Sequence, residues 1–273
     1  VNEPLFSIVT VTLNCAEDAT RTAQSILAQS FGDYQYVVKD GGSTDGTPER
    51  VRELGVAVHE SADHGVYNAM NQALRLCTGR YICFMNAGDL FPSSETLAQV
   101  AQTLSMANDP DFAYGDVQSY TNHPLLQAGQ EPDGMREIQY PDRLNRFYLF
   151  RKMICHQAWF VRRTLYVERG GLDEHYKLLA DYAFLMDMVA GKDLRYVHIP
   201  AVTAIFQGGG LSERQTTIAT AERTVIQRRA FNRMERLFYG TAYYGARGLV
   251  HKILYDYLYP RLSPALRRRI NGS

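Results

Sequence analysis

The opening forty residues constrain the fold most. Phe6 to Leu13 (FSIVTVTL) is rich in β-branched residues and shows no strict alternation, the pattern of an inner strand covered on both faces. Asp18 to Gln29 carries helical periodicity with Ile26 and Leu27 inward, and Tyr34 to Lys39 (YQYVVK) reads as a second strand. A helix between two such strands is a right-handed crossover unit. A chain that begins this way builds an α/β fold, a mostly parallel sheet flanked by helices.

The alternation continues to residue 107. Asp40 to Thr47 (DGGSTDGT) is a loop by composition, closed by Thr47 as a helix N-cap with Pro48 at the first helical position. That helix should end near Gly55, and Val56 to Glu60 should form a short third strand. Tyr67, Met70, Ala73, Leu74 and Cys77 fall at helical spacing up to a stop at Gly79. Arg80 to Met85 (RYICFM) is a fourth strand. It delivers Asn86, Ala87, Gly88 and Asp89 to the carboxyl edge, where open α/β sheets keep their ligands.

Beyond a helix over Ser93 to Ala107 the regularity fades. Strands are expected at Phe112 to Tyr120, Ile154 to Val161, Leu194 to Ile199 and Val202 to Phe206, a helix at Asp181 to Ala190, and further helices from Glu213 onward. The pattern divides the chain into a body over 1–212, with halves 1–107 and 108–212, and a helical extension over 213–273.

With 273 residues, 45% of them hydrophobic, the chain supports one large α/β core with a small appendage, and wholesale disorder is excluded. The net charge of zero conceals an asymmetry: residues 1–221 hold 18 Lys and Arg against 26 Asp and Glu, residues 222–273 hold 11 against 3. The basic stretch interleaves Arg228, Arg229, Arg233, Arg236, Arg247 and Lys252 with aromatics such as Phe231, Tyr239 and Tyr255. Such helices fit an interface with anionic lipid; the alternative is packing on the body or on a second subunit. With no signal-peptide pattern and no apolar run long enough to span a bilayer, the expected location is cytoplasmic, peripheral on the inner membrane face at most. No nucleic-acid partner is expected. The four cysteines, Cys15, Cys77, Cys83 and Cys155, lack zinc-site spacing and disulfide density, so reduced, mostly buried thiols are expected.

The place after the first strand, where a dinucleotide fold needs glycines, holds Asn14-Cys15-Ala16-Glu17-Asp18, and neither GxGxxG nor GxxxxGK[ST] occurs. Nicotinamide and P-loop chemistry are excluded on that ground. The strand ends offer Asn14, Asp40, Asp63, Asn86 and Asp89 instead. Carboxylates repel a pyrophosphate at close range. A divalent cation such as Mg²⁺ or Mn²⁺ resolves the conflict by taking one or two carboxylate oxygens together with phosphate oxygens and water.

FSIVTVTLN, VVKDGGSTDGT, ESADHGVYNAMNQAL and GRYICFMNAGD, in this order and spacing, strongly resemble the nucleotide-sugar-binding half of family 2 GT-A glycosyltransferases. HQAWF, LLADYAF and FQGGGLS resemble a bacterial branch that builds exopolysaccharide, colanic-acid-like or lipopolysaccharide units. The resemblance covers roughly residues 5 to 213 and implies a UDP- or GDP-linked sugar donor and a polyprenyl-linked or polysaccharide acceptor. It implies that Thr12 and Asn14, through their backbone, and Asp40, through its carboxylate, contact the base, with Asp63 helping to hold the nucleotide. Asp89 would bind the metal through the diphosphate, Asn86 the ribose, and Asp181 would be the general base of an inverting displacement. The usual acidic signature is reduced here, since Asn86 and Gly88 leave Asp89 as the one carboxylate of the segment. Gly208 to Ser212 is a candidate lid, and His64 and His156 are placed near the site without a role. A non-catalytic nucleotide- or glycan-binding module on a membrane-attached assembly is the alternative. Nucleotidyl transfer ranks last, because its glycine-rich, lysine-bearing loop is missing.

Overall fold

The computed structural model describes residues 3–120, 135–190, 193–207, 215–237 and 239. The candidate lid at 208–212 and most of the basic extension lie outside the described residues.

Four parallel strands form the first half of the sheet: β1 (Phe6–Thr12), β2 (Tyr34–Asp40), β3 (Val58–Glu60) and β4 (Tyr81–Phe84). They are joined by α1 (Ala16–Leu27), α2 (Thr47–Glu53) and α3 (Val66–Leu74). After α4 (Thr96–Met106) the chain adds β5 (Phe112–Tyr120), β6 (Arg136–Ile138), α5 (Arg146–Arg151), β7 (Trp159–Arg162), α6 (Arg163–Arg169), α7 (Ala180–Val189) and β8 (Tyr196–Gln207). Two further helices are α8 (Thr216–Ala230) and α9 (Arg233–Leu237). The strands make one eight-stranded sheet in the order β3-β2-β1-β4-β7-β5-β6, with β8 parallel to β5. β7 runs antiparallel to both β4 and β5, so the two halves share one sheet rather than forming separate cores.

β1 is buried along its whole length, and the hydroxyls of Ser7, Thr10 and Thr12 donate to Gln35 Oε1, the Met85 carbonyl and Asp40 Oδ2. One apolar cluster extends from Phe6, Ile8 and Val9 through Phe84 to Phe160, Leu185, Ile226 and Phe231. The Phe6 and Phe160 rings meet edge to face at 5.6 Å. Gly79 is required by close approach: a Cβ there would stand 2.4 Å from the Phe6 carbonyl carbon and the Ser7 nitrogen.

Several elements differ from the sequence expectation. Leu27 is 43% exposed while Ile26 is fully buried, because α1 presents one stripe to the sheet. Thr47 is not the cap of α2; Gly46, at φ 84°, precedes the helix, and Asp45 Oδ1 accepts from the Thr47 amide at 3.0 Å. The expected strand from Ile154 begins at Trp159, preceded by a 3₁₀ turn over His156–Ala158. The two late strands are one, β8, whose register on β5 shifts around Asp116. Within the basic extension, Phe231 is 2% exposed and packs edge to face on Phe150, and Tyr239 lies against Phe147. These two aromatics belong to the body, not to a lipid-facing surface. All four cysteines are free thiols; Cys77 and Cys83 are buried, Cys15 and Cys155 half-buried.

Candidate active site

The carboxyl ends of β1, β2 and β4 lie side by side, and each is followed by a polar segment. After β2, Asp40 is fully buried. Its Oδ1 accepts the Gly42 and Ser43 amides at 2.9 and 2.7 Å, and its Oδ2 accepts the Thr12 and Ser43 hydroxyls at 2.7 and 2.6 Å. Burial pulls this carboxyl upward, but the bonds from Ser43, Thr12 and Gly42 outweigh it and hold the pKa below the ordinary value. The Thr12 carbonyl accepts the Gly41 amide at 2.9 Å. Asn14, in the left-handed region at φ 49°, donates its amide to Ser43 Oγ at 2.8 Å and accepts the Thr44 amide at 2.9 Å. Thr12, Asn14 and Asp40 are thus brought together, sewing the β1 and β2 loops into one wall.

Asp63 lies behind that wall in a buried ion pair with Lys39, whose side chain is 1% exposed. Lys39 was absent from the sequence-derived site. A lysine directly before Asp40 in a buried strand was the available signal, since an ammonium without a partner is not tolerated there.

Asp89 is 6% exposed. Its loop is fixed on both sides: the Gly88 amide donates to Thr22 Oγ1 at 2.9 Å, and Leu90 exchanges backbone bonds with Ile205 of β8 at 2.9 and 2.8 Å. Burial pushes the Asp89 carboxyl up to about 7; the charge of His156 and a bond from Gln157 pull it down, and Asp18 adds repulsion. A desolvated carboxylate with a second acid nearby fits a hard cation that completes its coordination from phosphate and water. Among the described residues no group of three or more His, Cys, Asp or Glu could hold a metal alone.

Asp181, in the first turn of α7, is also 6% exposed. Its Oδ1 accepts the Tyr182 amide at 2.8 Å and lies 3.1 Å from the Tyr67 hydroxyl, which also reaches the Leu178 carbonyl at 2.7 Å. Its Oδ2 is 2.9 Å from Nδ1 of His156. On the other side of that ring, Nε2 is 3.2 Å from the Asn86 amide nitrogen, and Asn86 Oδ1 is buried with no partner among the described residues. Burial lowers the His156 pKa, but the bond and charge of Asp181, with the charge of Asp89, raise it above the usual value. The start of α7 is held from outside by Glu222 of α8, whose carboxylate accepts the Lys177, Leu178 and Leu179 amides at 2.6, 3.0 and 3.0 Å. His64 is peripheral by comparison, an exposed ring bonded to Glu174.

Amides and acids thus gather at the carboxyl edge of the sheet, with the buried Asp181 beside them. The glycosyl transferase family 2 profile matches residues 7–170, and the chain belongs to that family. It is 36% identical over 217 residues to a PGL/p-HBAD biosynthesis glycosyltransferase of Mycobacterium bovis, covering 77% of this chain and 79% of that one. The fold is similar to S. aureus TarS 1–349 in complex with UDP-GlcNAc, at TM-score 0.63 and 18% identity, over 92% of this chain and 77% of that one. It is also similar to the Pyrobaculum calidifontis mannosyltransferase PcManGT in complex with GDP-Man and Mn²⁺, at TM-score 0.58 and 21% identity, over 82% and 63%. The curated relative carries a PGL/p-HBAD name, not an exopolysaccharide one. The α/β fold expected from the sequence, a mostly parallel sheet flanked by helices, is the fold these structures share.

Proposed function

We propose that the chain transfers a sugar, with inversion, from a UDP- or GDP-linked donor to the hydroxyl of a lipid-linked or polysaccharide acceptor at the inner membrane face. The observation that carries this reading is Asp181, buried and joined through His156 to the Asn86–Asp89 segment. Asp181 takes the proton of the acceptor hydroxyl as that oxygen attacks the anomeric carbon. The departing diphosphate needs no proton, so a second acid is not required. A divalent cation held by Asp89, when bound, offsets charge on the leaving group. Asn86 Oδ1, buried and with no partner among the described residues, suits a ribose hydroxyl as donor. For Asp40 to accept a ring N–H, one hydroxyl, that of Ser43 or Thr12, must turn away from it, since its four acceptor positions are already filled. Asp63, bound to Lys39, acts by holding the loop rather than by touching the nucleotide.

The acceptor class is supported by an Escherichia coli relative named UDP-Glc:alpha-D-GlcNAc-diphosphoundecaprenol beta-1,3-glucosyltransferase WfgD, 25% identical over 131 residues. The basic composition of residues 222–273 supports peripheral lipid contact, and no helix among the described residues is long and apolar enough to cross a membrane. The test is release of nucleoside diphosphate from UDP-glucose, UDP-N-acetylglucosamine and GDP-mannose with Mn²⁺. Turnover should stop with chelator and fall by about 100-fold or more in Asp181→Asn and in Asp89→Ala. Full activity in both variants overturns the mechanism, and binding without turnover supports the non-catalytic alternative.

A further inference from the structure

The Asp181 carboxylate sits where a helix N-terminus would ordinarily claim it. An acid in the first turn is drawn toward the backbone amides of its own helix, and Oδ1 already accepts the Tyr182 amide. For Oδ2 to face an acceptor hydroxyl, something outside α7 must hold the carboxylate. The Tyr67 hydroxyl, 3.1 Å from Oδ1, does so at one oxygen, and at Oδ2 the holding group is His156. It is carried on the rigid 3₁₀ turn that opens β7, its side chain is 18% exposed, and its ring stands edge-on to Trp159 at 6.4 Å. Its Nδ1 points to Asp181 Oδ2 at 2.9 Å and its Nε2 to the Asn86 amide at 3.2 Å.

We propose that His156 is a positioning residue: its Nδ1–H aims the Asp181 carboxylate, while Nε2 keeps that aim in register with the donor-side segment through Asn86. This rests on Asp181 being the general base. One lone pair of Oδ2 is used by Nδ1–H, leaving the other for the acceptor proton. His156 touches neither donor nor acceptor in this scheme. Its two nitrogens tie the last residues after β4 to the first turn of α7, across the joint between the two halves of the sheet.

The experiment uses the full chain and three variants. Asparagine places an amide N–H where Nδ1 stands, glutamine where Nε2 stands, and alanine neither. His156→Ala should lower kcat for nucleoside diphosphate release from the best donor of the panel above by about 100-fold, the loss expected when a reacting group is displaced by about 1 Å. KM for that donor should stay within about threefold of wild type. His156→Asn should recover most of kcat and His156→Gln little of it. Equal losses in all three variants would mean packing alone, and a raised KM with unchanged kcat would mean donor binding; either result overturns the proposal. If Asp181→Asn keeps full activity, the general-base reading fails independently of the His156 series. A measurement that needs no turnover is ¹⁵N NMR of the imidazole nitrogens. His156 Nδ1 should carry a proton whose shift responds to Asp181→Asn, and an unprotonated Nδ1 overturns the assignment.

Discussion

Replacing Asp89 by asparagine should stabilise the metal-free protein at neutral pH and do so less as the pH is lowered. The carboxyl's pKa rises from 3.8 to about 7 on folding. A folded state that holds its proton more tightly than the unfolded chain loses stability as pH rises between those two values. The window is therefore about pH 4 to 7. At about 1.4 kcal/mol per unit, the full effect is on the order of 4 kcal/mol, an upper figure because water entering the site relaxes the cost. For a chain of this size that corresponds to roughly 8 °C in melting temperature. The assay is thermal melting of wild type and Asp89→Asn in chelator at half-unit steps of pH, reading the difference between the two curves so that other titrating groups cancel. The gap should widen with pH and then level off above about 7. A gap that stays constant from pH 4 to 8 would refute the argument. Adding Mn²⁺ should narrow the gap by stabilising wild type alone, since a ligand selective for the folded form raises its apparent stability.

Lys39→Met should cost about 3–5 kcal/mol in chemical denaturation by stranding Asp63, and the pair Lys39→Met with Asp63→Leu should recover most of that; a single variant as stable as wild type would contradict the buried pair. Glu222→Ala should cost roughly 2 kcal/mol and speed hydrogen exchange at the Lys177, Leu178 and Leu179 amides, whereas unchanged exchange there would show that α8 does not hold the start of α7.

β1, β2 and β4 were legible because each is a short run rich in β-branched or aromatic residues bounded by turn chemistry, whereas β3, read from Val56, is only Val58–Glu60. The carboxyl-edge positions of Asn14, Asp40, Asn86 and Asp89 followed from the same alternation. The second half was less legible. The 3₁₀ turn at His156–Ala158 breaks the apolar pattern with only two polar residues, His156 and Gln157, so Ile154 to Val161 read as one strand. Pro200 broke the reading of β8 in two, although the sheet absorbs it with a register shift. His156 carried no local signal for its place, since its partners are 25 and 70 residues away. Lys39 did carry a local signal, a charge inside a buried strand, but its partner Asp63 lies 24 residues on.

The site's assembly follows from one topological choice. β7 enters antiparallel between β4 and β5, so its amino end arrives at the edge where parallel neighbours present their carboxyl ends. A residue just before β7, His156, thereby meets one just after β4, Asn86. The same geometry explains the electrostatics. His156 faces Asp181, Arg21 faces Asp18 and Lys39 faces Asp63, so these three donors are each already committed to a carboxylate. Asp89, with no cation bonded to it among the described residues, is left strongly desolvated. Among the described residues, an anionic diphosphate approaching Asp89 would meet an acid. Positive charge arriving with the donor is what would let the two coexist, and the stability gap between wild type and Asp89→Asn, with and without Mn²⁺, measures how much of that charge Asp89 requires.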